Sequence, residues 1–337
     1  MTSISAVIVH YREEPAQLRA AIDSLLAQTR PPAEILILDN ERSGALATTL
    51  EGYGPVVRAI DCGANLGYVA INLAAARASG DHLLCLNPDA RAHEDCVALL
   101  AALADGDPSV AVVGAQILLE DGATRNAGAN PLHPTGISPA GGYGEPREHG
   151  EPREAIVVSG ACFLARRDAF LAIGGFVEDF FLYYEDVDLC WRTWIAGARV
   201  LYCPEAVVLH GYEFGGTPGK WFLLERNRLS AVLANYEPRT LLLLAPLLAL
   251  TELGLLVVAA AGGWLPEKLR AYGSLFARRR RIAEHRRAVQ ASRRRPDREL
   301  LALFDDRLDS KLLPRLGARA ANVVCVPYLF ALRRLVR

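Results

Sequence analysis

At 337 residues the chain is long enough for one large or two smaller domains. It is 51% apolar and 22% charged, a balance that supports a sizeable core and excludes wholesale disorder. The formal net charge of −1 hides an asymmetry: residues 1–220 carry 15 Lys and Arg against 28 Asp and Glu, and residues 221–337 carry 22 against 10. The basic second part is therefore expected to meet an anionic surface.

The chain enters a strand pattern at once (residues 4–9), so no secretory signal is expected. Helical spacing follows over 16–28, stopped by Pro31-Pro32, then a buried strand over 34–38 ending at Asp39-Asn40. A helix over 43–50, a strand over 56–60, a helix over 68–78 and a strand over 82–86 continue the alternation, the last strand ending at Asn87-Pro88-Asp89. A helix (94–104) and a strand (110–117) come next. Apolar strands alternating with helices predict an α/β fold with a mostly parallel, Rossmann-like sheet covered on both faces.

Ligands of such sheets bind beyond the carboxyl ends of the strands. Polar side chains collect there: His10 and Tyr11, Asp39 and Asn40, Asn65, then Asn87 and Asp89. No Gly-x-Gly-x-x-Gly follows the first strand, so a dinucleotide fingerprint is missing. Gly63-Ala64-Asn65-Leu66-Gly67 is a tight, glycine-bounded loop.

Residues 121–154 are rich in Gly, Pro and polar side chains, the composition of a lid, a binding loop or a tether, and they duplicate Gly-Glu-Pro-Arg-Glu at 144–148 and 150–154. A strand is expected over 156–165. Five carboxylates then lie among aromatic residues between Glu178 and Asp188. Glu185, Asp186 and Asp188 fall in the first turn of an expected helix, where the helix dipole alone favours acids by roughly 0.3–1 kcal/mol each. The aromatic walls of Phe180, Phe181, Tyr183 and Tyr184 add a second reason, since a desolvated carboxylate is a better base.

After His210 the character changes. A helix is expected over 220–235, and 241–264 is almost wholly apolar, interrupted by Pro246, Thr251 and Glu252. About 20 such residues suffice to span a bilayer, but an acid at the midpoint costs roughly 2.5–3.5 kcal/mol on insertion scales. A re-entrant or interfacial helical hairpin is therefore expected, with a single span and a buried soluble hairpin as the competing readings. Residues 268–298 bring 12 Lys and Arg, the pattern of attachment to an anionic leaflet rather than to nucleic acid. The seven cysteines form no Cys-x-x-Cys pair, and free, buried thiols in a reducing compartment are expected.

Asp39-Asn40, Gly63-Ala64-Asn65-Leu66-Gly67-Tyr68, Leu86-Asn87-Pro88-Asp89, Ser159-Gly160-Ala161, Arg166-Arg167, Gly174-Gly175-Phe176 and Tyr184-Glu185-Asp186-Val187-Asp188-Leu189 with Arg192, in this order, resemble the family 2 inverting glycosyltransferases. The likeness is greatest to the rhamnosyltransferase-like branch, which also includes galactofuranosyl transferases, and covers about residues 4–235. It implies a GT-A fold, a nucleotide-sugar donor (dTDP-rhamnose by branch, otherwise a UDP-sugar) and Mg2+ or Mn2+. By the same resemblance Asp39 holds the base of the nucleotide, Asp89 and His210 hold the metal, and Asp186 is the catalytic base. Glu185, Asp188, Arg192 and Tyr184 would shape the site or bind acceptor; His10, Tyr11, Asn40, Asn65, Gly67 and Asn87 would complete the donor site.

Asn87 stands where the family motif has its first acid, and His10-Tyr11-Arg12 where it has Tyr-Asn. No Gln-x-x-Arg-Trp motif occurs, which disfavours processive synthesis. The expected organisation is a catalytic domain over 1–215 and a helical, membrane-associating region over 216–337. The expected acceptor is a glycan or polyprenyl-diphosphate-linked sugar at the cytoplasmic face of the cell membrane. The alternatives are a galactofuranosyl or other hexosyl transferase, a nucleotidyl transferase, and a non-catalytic membrane adaptor with a degenerate sugar-nucleotide domain.

Overall fold

The structure, a computed structural model, describes residues 2–211, 219–309, 311 and 315–336. The expected boundary at 215/216 lies outside the described residues. In chain order the strands are β1 (Ile4–His10), β2 (Glu34–Asp39), β3 (Val57–Asp61), β4 (His82–Leu86), β5 (Ala90–Ala92), β6 (Val110–Leu118), β7 (Arg125–Ala127), β8 (Ala129–Asn130), β9 (Arg153–Glu154), β10 (Val157–Val158), β11 (Cys162–Arg166) and β12 (Arg199–His210). The helices are α1 (Pro15–Leu26), α2 (Ala45–Thr49), α3 (Ile71–Arg77), α4 (Cys96–Gly106), α5 (Arg167–Ala172), α6 (Glu185–Ile195), α7 (Lys220–Asn235), α8 (Pro238–Ala261), α9 (Leu265–Ala277), α10 (Arg279–Ser292), α11 (Asp297–Leu300) and α12 (Arg315–Leu335).

The main sheet runs β3-β2-β1-β4-β11-β6-β12-β5. Strands β3, β2, β1 and β4 are mutually parallel, β11 is antiparallel to both neighbours, and β12 is parallel to β6. Because strand side chains alternate faces, Ile4, Ala6 and Ile8 pack under α1 and α4 while Val7 and Val9 join the opposite core with Tyr68, Trp191 and Trp194. Tyr236 and Leu244, from α7's end and α8, belong to that second core too.

Three expectations change. The run 156–165 is two strands, β10 and β11, separated by 159–161, and they lie in different sheets. The stretch 121–154 is threaded into the fold: Arg125 pairs with Glu145 and Glu148, and β9 pairs with β12. The hairpin expected within 241–264 is instead one continuous helix of 24 residues, running through the exposed Pro246. Its midpoint acid is stabilised from outside. Glu252 accepts from Arg228 at 2.5 Å, and from Lys268 and Tyr272 at 2.7 Å each, while Glu225 faces the same two cations. The hairpin turn falls later, at Gly262-Gly263, and returns the chain as α9. All seven cysteines are free, and six are buried.

Candidate active site

The register of the parallel strands sets His10 beside Asp39 at one sheet edge. One Asp39 oxygen accepts the backbone N–H groups of Glu41 (3.0 Å) and Arg42 (2.9 Å), which fixes the carboxylate at the strand end. Asn40 spends both ends of its amide on the adjacent loop: Oδ1 accepts from the Leu66 N–H (3.2 Å) and Nδ2 donates to the Gly67 carbonyl (3.0 Å). Asn65 closes the same loop through the Gly67 N–H at 3.0 Å. Asn40 therefore builds the loop with its whole amide, and Asn65 with its oxygen. Gly67 has to be glycine, because its φ is +68° and a Cβ would stand 2.1 Å from the Phe181 carbonyl oxygen. His10 is buried between Glu13 (2.8 Å) and Glu41 (3.5 Å), and the Glu13 hydrogen bond holds its imidazole above the usual value despite burial. Tyr11 is exposed beside it.

A second group forms at the end of β4. Strand β12 bulges between Cys203 and Val207, then pairs with β5 so that His210 lies opposite Ala90. That register carries His210 to Asp89, residues far apart in sequence, with Nε2 at 3.1 Å from the carboxylate and 3.4 Å from the Asn87 amide. Burial acts to raise the Asp89 carboxyl, but the His210 imidazole outweighs it and holds the group below the ordinary carboxylate range. Among the described residues no three His, Cys, Asp or Glu side chains form a metal cage. One carboxylate, one imidazole and one amide nevertheless fit a hard divalent cation whose remaining positions go to substrate phosphate and water.

The third group is at the start of α6. Asp186 Oδ2 accepts the Gly160 N–H at 2.8 Å and Oδ1 accepts the Val187 N–H at 2.8 Å. A Cβ at Gly160 would stand 3.3 Å from that carboxylate oxygen. The next residue, Ala161, accepts the Asn87 N–H through its carbonyl at 2.9 Å. Thus the Asp186 carboxylate and the Asn87–Asp89 turn hang on one short piece of backbone. Burial raises the Asp186 carboxyl, against its two N–H donors. Glu185 is buried, its Oε2 has no hydrogen-bond partner, and burial together with Asp186 pushes it well above the ordinary range.

Asp188, Arg192 and Tyr184 are bound within the fold. Asp188 is fully buried and binds Arg192 Nε at 2.6 Å; Arg192 in turn donates to the carbonyls of Ile173 (2.9 Å) and Gly175 (2.7 Å), pinning the glycine pair. Tyr184 is buried and donates its hydroxyl to the Gly136 carbonyl at 2.6 Å.

Phe181, Tyr183 and Tyr184 have φ values of +64°, +67° and +73°, a strained turn immediately before Glu185. Four residues for which no role was expected hold it. Asn227 of α7 donates to the carbonyls of Phe180 (3.1 Å), Leu182 (3.1 Å) and Tyr183 (2.7 Å). Arg226 donates to those of Asp179 (2.7 Å) and Phe180 (2.9 Å). Asn72 anchors both backbone groups of Phe176, and Tyr68 joins the two sides, its N–H on Phe181 and its hydroxyl on Gly160. Tyr68 could have been found as the last residue of the glycine-loop motif; the other three had no local signal.

Polar groups at the ends of β1 and β2, a cation-suited turn after β4 and a buried acidic helix start together make a GT-A sheet with its polar groups on one rim. The chain belongs to glycosyl transferase family 2, which it matches over residues 5–174, and is a glycosyltransferase. It is similar to the O-antigen biosynthesis protein RfbC of Myxococcus xanthus (32% identity; 61% of this chain, though only 17% of the relative's length). It is similar also to the N-acetylglucosaminyl-diphospho-decaprenol L-rhamnosyltransferase of Mycobacterium tuberculosis (31% identity; 62% of this chain and 76% of the relative). Among solved structures it resembles in fold GalNAc-T7 bound to UDP, GalNAc and Mn2+ (TM-score 0.58, 17% identity; 70% of this chain and 48% of that one).

Proposed function

We propose that this glycosyltransferase moves rhamnose from dTDP-rhamnose, with inversion, to a hydroxyl of a polyprenyl-diphosphate-linked sugar in cell-envelope polysaccharide synthesis. The observation that carries the reading is the hydrogen-bonded link from Asp186 through Gly160 and Ala161 to the Asn87–Asp89 turn, with His210 against Asp89. A proton acceptor and a diphosphate-side cation site are thereby held on one scaffold. The rhamnosyl donor and the lipid-linked acceptor are supported by the name of the mycobacterial relative.

Asp186 takes the proton of the acceptor hydroxyl as its oxygen attacks the anomeric carbon from the side opposite the diphosphate; this contributes about 10²–10⁴-fold. Its raised affinity for protons favours that transfer. Glu185, the buried neighbour, keeps the local charge negative or holds a proton itself. Asp89 and His210, with Asn87, would hold Mg2+ or Mn2+, which when bound neutralises charge developing on the departing diphosphate. Asp39 and the exposed Tyr11 face the nucleoside, Asp39 through the oxygen its own turn leaves unused.

The region from 216 onward is read as the membrane-associating part. Helix α8 is long and apolar enough to cross a membrane by length and composition, and only 11% of its most apolar window is buried. Leu242 and Val257 on it are 75% and 71% exposed, and Phe276 on α9 is 72% exposed. With the arginines of α10, this supports attachment to the anionic cytoplasmic leaflet, the helix lying against it. The test is calorimetric titration with nucleotide sugars, with and without Mn2+. The expected result is a preference for dTDP-rhamnose that depends on the cation; equal, weak binding of all donors in both conditions overturns the reading.

A further inference from the structure

Beside the strained turn, on the side of α7 and α10, the molecule has a shallow cleft open to solvent. Val177, Phe180 and Ile282 form its apolar part, and Arg226, Arg278, Arg281 and His285 its basic part. The charges do not balance. The one carboxylate lining the cleft, Asp179, is engaged by Arg278 at 2.9 Å and by Arg281 at 2.6 Å. Arg226 is 95% buried, yet its hydrogen bonds go to uncharged acceptors: the Asn227 amide oxygen and two backbone carbonyls. His285 Nε2 has no hydrogen-bond partner; the nearest carboxylate, Asp188, is 4.0 Å away and already paired with Arg192. Burial and the neighbouring Arg278 hold the Arg226 guanidinium down to about 10, the response of a cation short of negative charge.

We propose that this cleft is the subsite for the diphosphate group of the lipid-linked acceptor. The inference rests on the acceptor reading above and adds where the acceptor's charged group docks. Multiple arginine donors converging on one open cleft suit phosphate oxygens, which accept charge-assisted hydrogen bonds. Position separates a lipid diphosphate from a free one. Arg278 caps α9, and its neighbour Arg279 lies over the exposed Phe276 ring at 4.7 Å, so the basic side chains at this end of α9 stand next to an apolar, solvent-facing ring that a polyprenyl chain or its bilayer would cover. The floor of the cleft, Val177, Asp179 and Phe180, comes just before the strained turn that leads into Glu185 and Asp186, so a diphosphate held there would present its sugar along that turn toward the base. Arg226 thereby contacts both the turn's carbonyls and the docked group.

The test titrates the full chain, in detergent micelles, with farnesyl diphosphate, farnesol and inorganic diphosphate, and repeats the series on Arg278→Ala/Arg281→Ala. Wild type is expected to bind farnesyl diphosphate at least about tenfold tighter than either of the others, the equivalent of one charge-assisted hydrogen bond. The double variant is expected to lose that advantage while keeping its affinity for nucleotide. Equal binding of farnesyl diphosphate by wild type and variant overturns the proposal. Inorganic diphosphate bound as tightly as the lipid assigns the cleft to a free phosphate and overturns it too. Arg281→Ala alone, at a side chain 70% exposed, serves if the double variant does not fold. Binding is read without turnover, so the two readings fail separately. A missing glycosyl transfer to lipid-linked sugars with the binding difference intact sinks the acceptor reading, and transfer with an unchanged acceptor KM in the variant sinks the cleft.

Discussion

Asn227 of α7 donates to the carbonyl of Tyr183 at 2.7 Å, and the same amide reaches two further carbonyls of that turn. A residue from the C-terminal helices thus holds the turn at Phe180, Leu182 and Tyr183, just before the acidic helix start. Asn227→Ala removes those donors and leaves the part-buried Leu182 and Tyr183 carbonyls without theirs, at about 1–3 kcal/mol each before relaxation, while Phe180 keeps Arg226. A lower urea midpoint is expected, with turnover reduced more than nucleotide affinity. Unchanged turnover in a folded Asn227→Ala chain would show that the turn does not position the site.

Asp89→Ala is expected to weaken nucleotide-sugar binding and abolish transfer, because the diphosphate side of the site loses its carboxylate. Excess chelator should do the same to wild type, and added Mn2+ should restore it. Full activity in excess chelator contradicts the cation assignment whatever the variant does.

Glu185 supplies a pH signature. Its carboxyl is raised in the fold well above 4.5, its ordinary value. The fold therefore binds a proton that the unfolded chain releases, and this contribution is complete below pH 4.5 and is lost as pH rises through the folded value. Glu185→Gln should flatten the fall in urea midpoint over that window and be the more stable chain at its upper end. Identical slopes for the two chains would contradict the buried, unpartnered state of the carboxyl. Turnover of wild type should rise with pH as the Glu185–Asp186 pair gives up its proton, since the base acts in its ionised form.

Much of this site is written locally. The run Leu83–Leu86 is apolar throughout and ends in Asn87-Pro88-Asp89, so strand and turn are both legible. What periodicity misses is set at a distance. The strand expected over 156–165 breaks because Gly160 must turn its N–H to Asp186 and its carbonyl to Tyr68. The hairpin expected over 241–264 rested on an unpaired Glu252, whose partners Arg228 and Lys268 come from two other helices. His210 reaches Asp89 only through the bulge and register of β12, and no spacing along the chain encodes that.

Membrane attachment has its own signature. Polybasic attraction is worth about 1 kcal/mol per residue and fades with salt, whereas burial of apolar side chains does not. High salt should release little of the full chain from anionic vesicles and detergent should release it. A chain ending at Tyr236 should, if folded, stay in solution. Full-length chain that remains soluble with vesicles present would mean that α8 and the exposed face of α9 are covered by protein instead.

The most direct test of the account is turnover and donor affinity measured together in Asp186→Asn, which keeps the side chain's shape and one acceptor oxygen for Gly160. The account predicts a fall in turnover of about 10²–10⁴-fold with nucleotide-sugar affinity unchanged. Near-normal turnover in Asp186→Asn, with the loss appearing instead in Glu185→Gln, would contradict it.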